Sequence, residues 1–234
     1  MSRPKLARLA REQATAWLLG LHRKVVTKAT GQSIVSKTCQ VPDIRSLYAA
    51  HGLRMDAGTF VEIGGFDGES FSNTSFLADQ GWRGLYIEPI PRLCRLLHLR
   101  HRLNTIAIEC AAVADSQGSI TLHDMGALST AHAATREAYD EISWARKSAA
   151  KAVEIQVRTD TLQAILARHS IPHDLELMVL DIEGGEEPVA EALLASRWRP
   201  RLFIVELNDL HPDFAQFSDL QQSSRRTRSR ILGA

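Results

Sequence analysis

A short apolar run that ends in a cluster of glycines sets the strongest limit on what this chain can fold into. Thr59–Ile63 has strand character and runs directly into Gly64-Gly65-Phe66-Asp67-Gly68. Four more runs of the same kind follow: Gly84–Glu88, Thr105–Cys110, Leu177–Asp181 and Leu202–Leu207. Runs that are apolar throughout, rather than alternating, describe parallel strands covered on both faces. Between them lie helical stretches at Ser72–Gln80, Pro91–Arg102, Thr161–His169 and Pro188–Ala195. This rhythm predicts a Rossmann-like, doubly wound α/β fold, with a mainly parallel sheet and helices on both faces. Ser119–Asp124 and Ala152–Val157 read as extra or edge strands, and Thr130–Lys151 as either a lid over the substrate or a surface helix.

The glycine loop carries the first chemical signal. Glycines accept positive φ and lack the Cβ that would hold a ligand away from the backbone. At the carboxyl end of a parallel strand, such a loop faces the crevice where α/β folds bind ligands. Glu62 suits a cationic amino group and not a pyrophosphate, which prefers backbone N–H groups without a neighbouring anion. The next strand ends in Tyr86-Ile87-Glu88-Pro89, where a carboxylate can accept from the two hydroxyls of a ribose. A nucleoside with an amino-acid tail, such as S-adenosylmethionine, meets both requirements.

With these residues in place, the sequence resembles the FkbM-type branch of class I S-adenosylmethionine-dependent methyltransferases. The resemblance rests on Val61-Glu62-Ile63-Gly64-Gly65-Phe66-Asp67-Gly68, Ser72-Asn73-Thr74, Gly81-Trp82-Arg83-Gly84 and Ile87-Glu88-Pro89. It continues through Ala111–Asp115, Val157–Leu162, Leu180-Asp181-Ile182-Glu183-Gly184 and Arg199-Pro200-Arg201, up to Val205-Glu206-Leu207. It implies that Glu62, Gly64, Gly65, Asp67 and Gly68 line the methionine part of the cofactor. By the same resemblance Glu88 holds the ribose, Ala112 lies along the adenine, and Asp181 sits near the transferable methyl. Ser72 and Asn73 either touch ligand or cap the following helix. Phe66 departs from the family pattern, which more often has a polar residue there, and its ring could pack beside the ligand. The acceptor that the resemblance implies is a hydroxyl of a small sugar, glycan unit or secondary metabolite.

Methyl transfer to a hydroxyl needs in-line placement of the acceptor and removal of its proton. Asp181, Glu183, Glu206 and His211 fall at or just beyond strand ends and are the candidate catalytic residues. Asp181 and Glu183 could offer oxygens to Mg2+ if the strand continued through both. Gly184 argues against that, and no metal is expected. Two other readings stay open: a methyltransferase-like domain that acts as a binding partner, and a nicotinamide-dependent oxidoreductase. The loop lacks Gly-x-Gly-x-x-Gly spacing, which disfavours the latter.

Composition enters through charge. Lys plus Arg number 28 and Asp plus Glu 27, but the distribution is uneven. Residues 1–30 hold seven basic residues against Glu12, residues 220–234 hold four arginines and no acid, and the segment between carries −9. Residues 1–40 read as a basic amphipathic helix and linker, 41–215 as the catalytic domain, and 216–234 as a disordered basic tail. Leu6, Leu9, Ala10, Trp17, Leu21 and Val25 fall roughly on one helical stripe, which serves either to pack on the domain or to touch a membrane surface weakly. No apolar run is long enough to span a bilayer, and nothing points to nucleic acid. Cys39, Cys94 and Cys110 form no recognisable disulfide or zinc pattern, which fits a cytoplasmic setting. A homodimer is compatible with all of this. After Leu207 no two-strand signal follows, so the sheet is expected to be short at this end, its edge either open or covered by the N-terminal helix or a second subunit.

Overall fold

The computed structural model describes residues 3–141, 145–206 and 229–233. The fold is Rossmann-like α/β, with a mainly parallel sheet flanked by helices. Two compact units divide the chain, Met1–Cys110 and Ala111–Ala234.

The first unit opens with a long helix, α1 (Arg3–Thr30), and a short one, α2 (Ile44–Ala50). Then come β1 (Thr59–Ile63), α3 (Ser75–Gln80), β2 (Arg83–Ile87), α4 (Pro91–Arg100) and β3 (Ile106–Glu109). β2 pairs in parallel with β1 on one side and β3 on the other, in a register that sets Glu62 opposite Tyr86 and Ile87 opposite Glu109. β1 and β2 are buried along almost their whole length, as apolar central strands must be. Phe60 meets Tyr86 edge to face at 5.3 Å, and Trp82 is fully buried, its Nε1 donating to the Met55 carbonyl. Proline at the first position of α4 fits its fixed φ and missing N–H to a helix start.

α1 does not pack as its stripe suggested. Leu6, Trp17, Leu21 and Val25 are exposed, as is Leu18. The opposite side faces α4, and there Gly20 is buried: a Cβ on it would collide with the Arg100 carbonyl oxygen. Arg23 on the same side pairs with Glu69, and Glu12 pairs with Arg92 of α4. Close backbone approach and inward-facing charges therefore fix this helix.

The second unit contains β4 (Ala112–Val113), β5 (Gly118–Asp124), α5 (Ala133–Glu141), α6 (Arg146–Ala149) and β6 (Val153–Asp160). α7 (Leu162–Arg168), β7 (Leu177–Leu180), α8 (Glu186–Leu194), β8 (Leu202–Glu206) and β9 (Ser229–Gly233) complete it. β6 lies between β5, antiparallel, and β4, parallel, in a small sheet of its own. The expected edge strands at Ser119–Asp124 and Ala152–Val157 are β5 and β6. Thr130–Lys151 contains α5 and α6, whose Tyr139, Ala145 and Ala149 form a small core with Met125.

Two expectations are corrected. The outer edge of β8 is not open: β9 pairs antiparallel along all of it, from Leu202 opposite Gly233 to Glu206 opposite Ser229. This strand satisfies backbone groups that an edge would leave unpaired. Cys94 and Cys110 are joined in a disulfide, with Cα atoms 6.1 Å apart, while Cys39 is free. Their separation of 16 residues looks uninformative in sequence. The fold closes it by setting α4 beside the end of β3.

Candidate functional site

In the first unit the glycine loop, residues 64–74, is held from below by two buried carboxylates. Glu88 Oε2 accepts from the Phe66 N–H at 2.9 Å, and its Oε1 accepts from the Ile90 N–H at 2.9 Å. The Gly64 N–H donates to the Ile87 carbonyl at 2.9 Å, which ties the loop to the end of β2. Glu62 points into the turn that follows. Its Oε2 accepts from Ser72 Oγ at 2.8 Å and Thr74 Oγ1 at 2.5 Å, and its Oε1 from the Asn73 N–H at 3.1 Å. Ser72 Oγ in turn accepts from the N–H groups of Thr74 and Ser75 at the entry to α3. Ser72 thus takes the capping part of its two readings. Asn73 bridges to Gln40 and the Val41 N–H.

The glycines also answer to the protein. A Cβ on Gly65 would come within 2.8 Å of the Tyr86 ring, and one on Gly68 within 2.9 Å of the His101 ring. Their first role is therefore to let the loop lie flat on β2 and α4. Gly64, Phe66 and Asp67 remain partly accessible, while Gly65 and Gly68 are buried. Phe66 adopts φ 47°, left-handed for a residue with a side chain, and its ring lies 6.1 Å from that of Phe71. Asp67 folds back on the chain, accepting from the N–H groups of Glu69 and Ser70 and from Ser70 Oγ.

Beneath the loop lies a polar cluster that nothing in the sequence pattern announced. The buried Arg100 guanidinium donates to both oxygens of Asp79, at 3.0 and 2.6 Å, and to Glu69 Oε2 at 2.8 Å. Glu69 is also paired with Arg23. His101 Nε2 lies 2.9 Å from the Gly68 carbonyl oxygen, so that atom carries the proton and donates, while Nδ1 accepts from Asn104 at 3.0 Å. Burial, reinforced by the Arg100 charge, lowers the His101 pKa to about 3. Burial opposes the Asp79 charge, but the hydrogen bonds and charge of Arg100 prevail and hold its carboxyl below the usual range. Burial and the Glu62 charge push the Tyr86 phenol well above its usual value. A groove of about 770 Å³ runs beside the loop, lined by Arg8, Arg11 and Glu12 of α1, Glu69, Ser70 and Leu96.

In the second unit, Ala112 is half-buried in β4, opposite Thr159. Asp181 follows the last residue of β7 and is half-buried. The chain then turns through three consecutive positive φ angles at Glu183, Gly184 and Gly185, so Asp181 and Glu183 do not share one extended face. Glu183 accepts a hydrogen bond from the Tyr139 hydroxyl. Glu186, which the sequence reading overlooked, accepts from the Gly184 N–H at 2.8 Å. Burial raises its pKa, the Gly184 N–H opposes, and the charge of Asp181 adds to the rise. Glu206 ends β8, half-buried, opposite Ser229. His211 lies outside the described residues. Among the described residues no group of three or more His, Cys, Asp and Glu side chains is placed to hold a metal ion.

A model of the methyltransferase FkbM domain matches residues 62–227. The chain belongs to the FkbM methyltransferase family. The match begins at Glu62, the carboxylate that organises the glycine loop, and extends past β8. No curated protein matches the chain. As an FkbM methyltransferase, the chain is set apart from the nicotinamide-dependent oxidoreductases weighed above. No helix among the described residues is long and apolar enough to cross a membrane.

Proposed function

We propose that this FkbM methyltransferase uses S-adenosylmethionine to methylate a hydroxyl of a small sugar, glycan unit or secondary metabolite. The observation that carries the reading is the pair of buried strand-end carboxylates, Glu62 and Glu88, that clasp the glycine loop within the family match. The Glu88 carboxylate accepts the Phe66 and Ile90 N–H groups at the end of β2, and a strand-end carboxylate is the acceptor that a ribose diol calls for. Glu62 already receives three donors from its own turn, so its part is to shape the loop and lend negative charge toward a cationic ligand. Phe66 and Phe71 offer aromatic surface beside the same loop.

When bound, S-adenosylmethionine supplies an electrophilic methyl whose transfer breaks a carbon–sulfur bond and leaves a neutral thioether. The acceptor oxygen forms the new carbon–oxygen bond and loses its proton, and Asp181 and Glu206 are the described carboxylates proposed to receive it. No step is assigned to Mg2+. Glu183 is engaged by Tyr139, which leaves it a supporting role.

The test pairs calorimetric binding of S-adenosylmethionine, S-adenosylhomocysteine and NAD with a methyl-transfer assay on hydroxylated sugars and glycans, with and without Mg2+. Binding of the first two and label transfer support the proposal. The self-satisfied state of Glu62 favours a second reading, a domain that binds a partner without turnover. Silence from every cofactor would select it.

A further inference from the structure

Five large apolar side chains of α1 (Leu6, Trp17, Leu18, Leu21 and Val25) stand between 38% and 57% exposed. Their spacing places them along one side of the helix, because residues three, four, seven and eleven apart share a face. A stripe of this size on the outside of a folded domain calls for an occupant. Charge says which kind. α1 carries seven basic residues against Glu12, with Arg8, Arg11 and Lys28 exposed, while Arg23 and the Arg100 of α4 are already paired with Glu69. The chain as a whole is only +1, so basic charge is concentrated on this helix.

We propose that α1 lies in the surface of an anionic lipid bilayer, its exposed apolar side in the headgroup–acyl boundary and its exposed Arg11 and Lys28 among the phosphates. The combination of a tryptophan, leucines and a valine with lysines and arginines is that of an interfacial helix. Lys28 prolongs the line from Leu21 and Val25, where its long side chain can reach headgroups while its methylenes stay with the apolar stripe. The helix lies on the bilayer and does not cross it, since it is not apolar enough to span. A second copy is a poorer occupant: two such faces pressed together would oppose like charges. Nucleic acid has no use for the apolar ridge. The inward side of α1 is already committed, through Gly20, Glu12 and Arg23, so the outward side can insert without unpacking the domain.

The test is co-sedimentation of the full chain with vesicles of phosphatidylcholine, with and without phosphatidylglycerol. Retention is expected only with the anionic lipid. It should fall as salt rises, since screening shortens from about 10 Å at 0.1 M to about 3 Å at 1 M. Trp17 emission should shift to the blue on binding, because Trp17 is the tryptophan of the stripe. The triple variant Leu18→Gln, Leu21→Gln, Val25→Gln keeps good helix formers, and should bind at least about tenfold more weakly with an unchanged melting temperature. Leu194→Gln, an exposed leucine on α8, should bind like the parent chain. Absence of anionic-vesicle binding, or binding undiminished in the triple variant, would overturn the proposal and leave the face to a protein partner. A dimer in sedimentation equilibrium that the triple variant dissolves would assign the face to a second copy and overturn it equally.

Discussion

Replacing Arg100 with methionine tests how the glycine loop is supported. The Arg100 side chain is 1% exposed and that of Asp79 is 0% exposed, and three short hydrogen bonds join the guanidinium to Asp79 and Glu69. Arg100→Met leaves the Asp79 carboxylate buried with Asn104 as its remaining described side-chain donor. Stranding one member of a buried ion pair costs about 3–5 kcal/mol, far more than the pair's net worth against apolar replacements. For a chain of 234 residues, 1 kcal/mol moves the melting temperature by about 2–4 °C, so a fall of about 6–20 °C is expected. Two features separate this cause from ordinary loss of packing. The double variant Arg100→Met, Asp79→Leu should recover most of the loss, because no charge is then stranded. The deficit of the single variant should also shrink in acid. Without Arg100, burial raises the Asp79 pKa, and a protonated Asp79 costs little to bury. Urea titrations of the parent, single and double variants at neutral and mildly acidic pH provide the measurement. A single-variant loss below about 1 kcal/mol, or a double variant no better than the single, would refute the reasoning.

Three further outcomes follow from the same geometry. Glu88→Ala should weaken S-adenosylmethionine binding by about 1–3 kcal/mol in calorimetry, and an unchanged Kd would remove Glu88 from the cofactor site. His101, with a pKa of about 3 in the fold, binds its proton far less readily than in the unfolded chain. Its contribution to stability is therefore complete above about pH 6.5 and is lost as pH falls toward 3, with a slope of up to about 1.4 kcal/mol per pH unit. His101→Asn should flatten that part of the pH–stability curve. Reducing the Cys94–Cys110 bridge reopens a loop of 16 residues, worth about 3 kcal/mol in the chain-entropy account, so a reductant should lower the melting temperature while Cys39→Ser should not.

The parallel strands and their helices were legible because each is a run with one periodicity and a clear stop. Thr59–Ile63 matches β1 at both ends, and Pro91 marks the start of α4. The glycine loop and its two carboxylates were legible as a constellation, since strand ends carry function in such folds. Which way those groups face was not. Glu62 and Gly65 looked like ligand contacts, yet Glu62 closes the Ser72–Thr74 turn and Gly65 makes room for Tyr86. Both facts depend on neighbours far along the chain, which a local pattern does not contain. The Arg100–Asp79–Glu69–Arg23 cluster was invisible for the same reason: four charged residues among 55 say nothing until the helices bring them together. α1 misled differently. Its apolar stripe suggested the packed side, but Gly20 and Arg23 on the other side set the contact. β9 escaped because its five residues follow an arginine-rich stretch that reads as a tail.

The fastening of α1 carries a practical consequence. Glu69 is gripped by Arg23 from one helix and by Arg100 from another, and it stands one residue after the last glycine of the loop. A deletion that starts the protein after Thr30 would halve the cationic grip on Glu69. Trimming this helix to ease crystallisation or expression would therefore retune the loop at the far end of the linkage, and a shortened version should not be used as a stand-in for the intact protein in binding work.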